Sequence, residues 1–235
     1  MRLTVPRTDH LPGWWVSRDP DRTTPTPGGH ANHGVAHGIS GVLALLGNAL
    51  RRGVTVDGHH ESIATICAHL DTWRRDDPSG SWWPEWITRT DLNTRRSPQP
   101  APYRPSWCYG TPGIARAQQI AAIATGDTTR QLVVERAFAA CLSDTNQLAS
   151  LVDTSLCHGW AGLYQTAWRA ANDALTPAIG AHLPFLASCL IRHVNTRDHD
   201  DSGLLTGTAG LALATHTAAH NTAPISGWDA CLLIA

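Results

Sequence analysis

His158-Gly159-Trp160-Ala161-Gly162-Leu163-Tyr164-Gln165-Thr166-Ala167 sets two glycines three residues apart at the head of an apolar, small-residue run. The same pattern opens at Gly38 (His-Gly-Ile-Ser-Gly-Val-Leu-Ala-Leu-Leu), at Gly110 (Tyr-Gly-Thr-Pro-Gly-Ile-Ala-Arg-Ala) and at Gly207 (Thr-Gly-Thr-Ala-Gly-Leu-Ala-Leu-Ala-Thr). The first glycines of successive copies are 72, 49 and 48 residues apart. An interval near 48 holds two helices and two loops, so each copy reads as a helical hairpin. A Trp- and Pro-rich stretch over 76–105 accounts for the longer first interval. The first helix, 39–50 in the first copy, is apolar on all sides and belongs to an inner layer. The second helices, predicted over 61–74, 128–142 and 177–194, carry more Arg, Asp and Glu and read as an outer layer, with Pro177 in a first helical turn. Strand-like alternation is nearly absent. The fold class is all-α, either an open solenoid or a closed ring of inner and outer helices.

Residues 1–33 read as loop, because Pro6, Pro12, Pro20, Pro25 and Pro27 with Gly13, Gly28 and Gly29 leave no room for a regular element. The whole chain, 1–235, reads as one domain with hairpins from about residue 34 onward. Charged residues make up only 16% and hydrophobic ones 42%, which argues against disorder and against a coiled coil. The 18 basic residues are all Arg and are balanced by 19 acidic ones, so no basic surface for nucleic acid is expected. The N-terminus lacks the apolar core of a signal peptide, and no run of about 18 apolar residues would cross a membrane. The expected location is the cytoplasm. Its reducing conditions make the six cysteines free thiols or metal ligands rather than a disulfide framework.

Two of the glycine turns carry metal-type side chains directly before them: Cys108 before Tyr109-Gly110, and Cys157-His158 before Gly159. Two thiolates and an imidazole are three of the four ligands zinc takes, and an open fourth position marks a catalytic site. Equivalent turns of successive hairpins would bring them together, at helix N-termini that favour thiolates. The alternative is that Cys108 and Cys157 are small buried fillers at tight turns. His33 and His37 are spaced like a helical zinc pair but lack a glutamate between them, so a metalloprotease motif is not indicated. His30, His59, His60, His199, His216 and His220 read as exposed, and Cys67, Cys141, Cys189 and Cys231 as packing residues. Trp82, Trp83 and Trp86 read as a wedge between loop and helices.

These motifs resemble those of the lanthionine synthetase C-like proteins, the cyclases of lantibiotic biosynthesis. The matching residues are Ala36-His37-Gly38-Ile39-Ser40-Gly41, Arg104-Pro105-Ser106-Trp107-Cys108-Tyr109-Gly110-Thr111-Pro112-Gly113 and Cys157-His158-Gly159-Trp160-Ala161-Gly162. The segment from Gly203 to Gly210 and Trp228-Asp229 are similar to the family's closing repeat. The resemblance implies an (α/α) barrel, a toroid with Zn2+ at one end held by Cys108, Cys157 and His158. It also implies His37, Arg104 and Tyr109 as active-site residues. The implied reaction adds a cysteine thiolate of a dehydrated precursor peptide to dehydroalanine or dehydrobutyrine, giving a thioether ring. His37 would then protonate the enolate, while Arg104 would stabilise its oxygen, hold the peptide or brace the site.

Family members are longer, and the resemblance places their first hairpins and an active-site aspartate before residue 1. Asp19 and Asp21, in a Pro-rich loop, do not take that role. An incomplete ring is expected to expose apolar inner-helix faces, to be covered by a separate N-terminal half or a second copy. A dehydratase is the other expected partner. The contrasting expectation is a non-catalytic zinc-binding helical module that binds peptide without turnover.

Overall fold

The computed structural model describes residues 2–20, 23–194 and 201–235. Its helices, in chain order, are α1 (Ile39–Arg51), α2 (His59–Trp73), α3 (Arg89–Thr94), α4 (Thr111–Thr125), α5 (Thr128–Ser143), α6 (Thr145–Ala149), α7 (Trp160–Asp173), α8 (Leu183–Val194) and α9 (Thr208–His220). Short strands β1 (His30–Asn32), β2 (Arg75–Asp77), β3 (Gly80–Trp82) and β4 (Trp86–Thr88) form two antiparallel pairs, β1 with β4 and β2 with β3. The architecture is the expected α/α one. Inner helices α1, α4, α7 and α9 pack successively side by side, and α2, α5 and α8 back them from outside.

Each inner helix starts at the first glycine of its pair, whose backbone is extended and whose place a side chain cannot fill. A Cβ at Gly38, Gly110, Gly159 or Gly207 would overlap the carbonyl oxygen of the residue six positions earlier: Asn32, Arg104, Asp153 and Asp201. The second glycine repeats this one helical turn on, against the carbonyls of Val35, Trp107, Leu156 and Leu204. The glycine pair is therefore a steric device that folds a six-residue loop tightly back over the N-terminus of an inner helix. It also sets a register between repeats.

The core runs between the two layers through Leu43, Ile66, Leu70, Ile114, Ile120, Phe138, Leu142, Leu156, Leu163, Leu186 and Leu190. Trp82 and Trp83 are buried, with the Trp83 indole N–H donating to the Leu70 carbonyl at 3.0 Å, which is the wedge expected of that cluster.

Four local expectations are corrected, one of them Cys231, which is exposed on the 3-10 turn Trp228–Leu232 rather than packed. The first 33 residues do hold regular structure, a 3-10 turn at Arg2–Thr4 and strand β1, because β1 finds its partner in β4 far along the chain. The third outer helix begins at Leu183 rather than 177, after a 3-10 turn at Gly180–His182. Pro184 lacks an N–H, so it tolerates a first helical turn and stops hydrogen bonding from running through it. His30 and His59 are buried rather than exposed, each bonded to a backbone carbonyl, Arg18 at 3.1 Å and Leu46 at 2.9 Å. Residues 21 and 199, Asp21 and His199, lie outside the described residues.

The C-terminal segment has a structural role. A 3-10 turn, Trp228–Leu232, and the residues after it lie against the inner helices. Asn48 of α1 donates to the Leu233 carbonyl at 3.1 Å, Trp107 to Leu232 at 2.8 Å and the buried Arg116 of α4 to Ile234 at 2.8 Å. Asp229 is fully buried and receives Arg169 of α7 at 2.6 and 2.7 Å and Gln165 at 2.6 Å.

Candidate metal centre

The loops over the four inner-helix N-termini are joined by backbone hydrogen bonds. Val35 N–H donates to the Cys108 carbonyl at 2.8 Å, Cys108 N–H to Cys157 at 3.2 Å and Cys157 N–H to Leu205 at 2.9 Å. Counted back from each first glycine, the second residue is Ala36, Cys108, Cys157 or Leu205, and the first is His37, Tyr109, His158 or Thr206. Repeat-equivalent side chains are thereby gathered at one end of the inner layer.

This brings Cys108, Cys157 and His158 together. One donor atom of each lies within 4.8 Å of the others, the only such group of three or more metal-ligating side chains among the described residues. Cys108 is buried; Cys157 and His158 are partly exposed. The Cys108 thiol is drawn down to about 7 by a hydrogen bond from Cys157, against burial, with help from the Ser106 hydroxyl and the Arg104 guanidinium. Cys157, which gives that hydrogen bond and is itself partly buried beside the Cys108 charge, is pushed up. A pair of thiols in which one ionises easily is primed for a cation, and α4 and α7 point their N-termini at it.

Tyr109 lies next to the cluster, with Asn32 Nδ2 donating to its hydroxyl at 3.3 Å, and burial raises its pKa. The exposed His37 faces it, ring centroids 6.1 Å apart. Arg104 sets its guanidinium 5.7 Å from the centroid of the Tyr103 ring, and its NH1 is 4.0 Å from Asp153 Oδ2. Asp153 also stands 3.3 Å from His158 Nε2. Sequence reasoning missed Asp153. Aligning the repeats on their first glycine would have flagged it, because that alignment sets it level with Arg104. A cavity of about 780 Å³ is lined by Arg104 together with Pro102, Tyr103, Asp144, Asn146 and Gln147 among others.

His33 is no ligand. It is fully buried, its main-chain N–H on the Glu85 carbonyl at 2.8 Å, Nδ1 2.8 Å from the Pro84 carbonyl and Nε2 3.0 Å from His69 Nε2. A carbonyl only accepts, so His33 carries its proton on Nδ1 and His69 donates from Nε2. Burial, then the neighbouring His69, holds His33 down at about 3, and burial holds His69 at about 4. Both stay neutral in the folded chain while the unfolded chain protonates them below about 6.5. Stability should be full above that value and fall as pH drops toward the folded values. A loss of about 3–4 kcal/mol between pH 7 and 5 is expected from urea unfolding. A flat profile would contradict the pairing.

The family model for lanthionine synthetase C-like protein matches residues 16–233. The nisin biosynthesis protein NisC of Lactococcus lactis subsp. lactis is 24% identical over 140 residues, 59% of this chain and 33% of that protein. The solved structure of a nisin cyclase superposes with a TM-score of 0.84 at 18% identity, covering 99% of this chain and 58% of that one. This chain thus spans less than two thirds of the length of either. No helix among the described residues is long and apolar enough to cross a membrane. The match to the family model runs from ahead of β1 almost to the chain end and takes in all four glycine turns with the cysteines and histidine they carry, so the chain belongs to the lanthionine synthetase C-like family.

Proposed function

We propose that this chain is a zinc-dependent peptide cyclase. It joins a cysteine thiol of a dehydrated precursor peptide to the β-carbon of dehydroalanine or dehydrobutyrine, making lanthionine or methyllanthionine thioethers. The observation that carries this reading is the convergence of Cys108, Cys157 and His158 at one end of the inner layer. Two thiols and an imidazole fill three positions of a tetrahedral zinc and leave the fourth for substrate, and ligand atoms around such an ion sit roughly 3.5–3.8 Å apart, within the spread found here. Bound zinc would supply a place where the substrate thiol gives up its proton at neutral pH.

The remaining work falls to the chain's own side chains. As the S–C bond forms at the β-carbon, negative charge moves to the carbonyl oxygen of the acceptor residue. Arg104, the cation beside the cluster, neutralises it or holds the peptide. His37, exposed and outside the ligand set, delivers the proton that the α-carbon takes up. Tyr109, hydrogen-bonded by Asn32, lines the site beside His37. The cavity beside Arg104 gives the peptide a place to lie. A dehydratase must act on the precursor beforehand. The cytoplasm, where these thiols stay reduced, is the proposed location.

The test is the zinc content of the purified chain, followed by incubation with a dehydrated precursor peptide and a count of free thiols. One zinc per chain and steady loss of peptide thiols is the expected result. A folded chain without zinc overturns the reading. Zinc with no thiol consumed, also after adding a candidate partner, points instead to the non-catalytic peptide-binding module.

A further inference from the structure

We propose that Asp153 is a positioning residue of the centre, its carboxylate fixing which imidazole nitrogen of His158 faces the metal and tethering Arg104 beside it. The inference rests on the metal reading above.

Aligned on the first glycine of each repeat, Asp153 is level with Asn32, Arg104 and Asp201. In three repeats this residue is Asn or Asp, and its Oδ1 accepts the backbone N–H two positions on: Gly34 at 2.9 Å, Ser155 at 2.8 Å and Gly203 at 2.8 Å. That bond builds the turn and engages one carboxylate oxygen. In the two repeats that carry aspartate, the second oxygen is directed to the residue just before the glycine, whereas the Asn32 amide nitrogen turns to the Tyr109 hydroxyl. In the last repeat Asp201 Oδ2 accepts from the Thr206 hydroxyl at 2.6 Å. In the third, the same position is His158, and Asp153 Oδ2 stands 3.3 Å from its Nε2. A contact that merely trims a loop in one repeat thus falls on a candidate metal ligand in another. The second repeat departs from the pattern. Arg104 replaces the acid there and sends its guanidinium across to Asp153 Oδ2, 4.0 Å away. One carboxylate oxygen therefore faces both the ligand imidazole and the cation proposed to meet substrate.

The chemistry follows from the two nitrogens of the ring. With Nε2–H turned to a carboxylate, Nδ1 is left as the lone-pair donor, and the carboxylate raises its basicity and holds the ring plane. Asp153 itself is outside the set of mutually close ligand atoms, so its part is orientation rather than coordination.

Asp153→Asn separates this role from the turn, because asparagine has the same size and an amide oxygen that serves the Ser155 N–H equally well. In the full chain, competition with a chromophoric chelator should show zinc binding weakened about 10- to 100-fold by the variant. The melting midpoint of the metal-free protein should be unchanged. Nitrogen-15 spectra of the zinc-loaded wild type should show His158 protonated on Nε2, and the variant should lose that preference. Wild-type zinc affinity in the variant overturns the proposal, as does metal on Nε2 in the wild type or a lowered midpoint with the tautomer intact. A wild-type chain that takes up no zinc overturns the metal reading and the inference together, whereas a zinc-loaded wild type matched by the variant overturns the inference alone.

Discussion

Asp229→Ala is expected to lower the free energy of unfolding by about 3–5 kcal/mol, because it strips the partner from a charge held inside the helical layers. Asp229 has no exposed surface, and Arg169 donates to both its oxygens while Gln165 donates to one. Removing the carboxylate leaves the guanidinium partly buried without its partner and unties the turn Trp228–Leu232 from α7. The effect should reach the metal end as well, since the Trp107 indole bonds the Leu232 carbonyl and Trp107 precedes Cys108. Equilibrium unfolding in urea measures the loss, and replacing the pair together, Asp229→Leu with Arg169→Met, should recover part of it. A single variant as stable as the parent would mean that the C-terminal segment does not anchor the inner helices.

His37→Asn should slow consumption of peptide thiols by about 10²- to 10⁴-fold, the usual worth of a positioned proton donor, with zinc content and melting temperature unchanged. The argument is one of placement. His37 and His158 occupy the same position of their repeats, each immediately before the first glycine, yet only His158 falls in the ligand cluster. His37 faces Tyr109 instead and keeps its nitrogens open to solvent and substrate. Thiol titration of a dehydrated peptide against time, alongside elemental analysis for zinc, reads both quantities. An unaltered rate would remove His37 from the reaction.

Much of the layer architecture was legible because it rests on local chemistry. The glycine pairs forecast every inner-helix start, and helices expected over 39–50 and 128–142 appear as Ile39–Arg51 and Thr128–Ser143. That Cys108, Cys157 and His158 would meet was legible for the same reason, since they ride on those turns. What escaped depends on contacts between distant segments. β1 exists only against β4, and the burial of His30 and His59 follows from carbonyls contributed by neighbouring elements. Asp153 escaped because its repeat position is filled by Asn, Arg and Asp in different copies. An alignment on the first glycines relates them, and the shared backbone contact is its structural counterpart.

The chain of backbone hydrogen bonds from Val35 through Cys108 and Cys157 to Leu205 has a kinetic meaning. Every link joins segments roughly fifty residues apart or more, so its loop-closure entropy is met only after the intervening hairpin has formed. Helices can form early from neighbouring residues, but the pocket of thiols cannot exist until the hairpin of α4 and α5 has formed and brought the turns at Cys108 and Cys157 together. Helical signal should therefore return ahead of the proposed ion uptake on refolding.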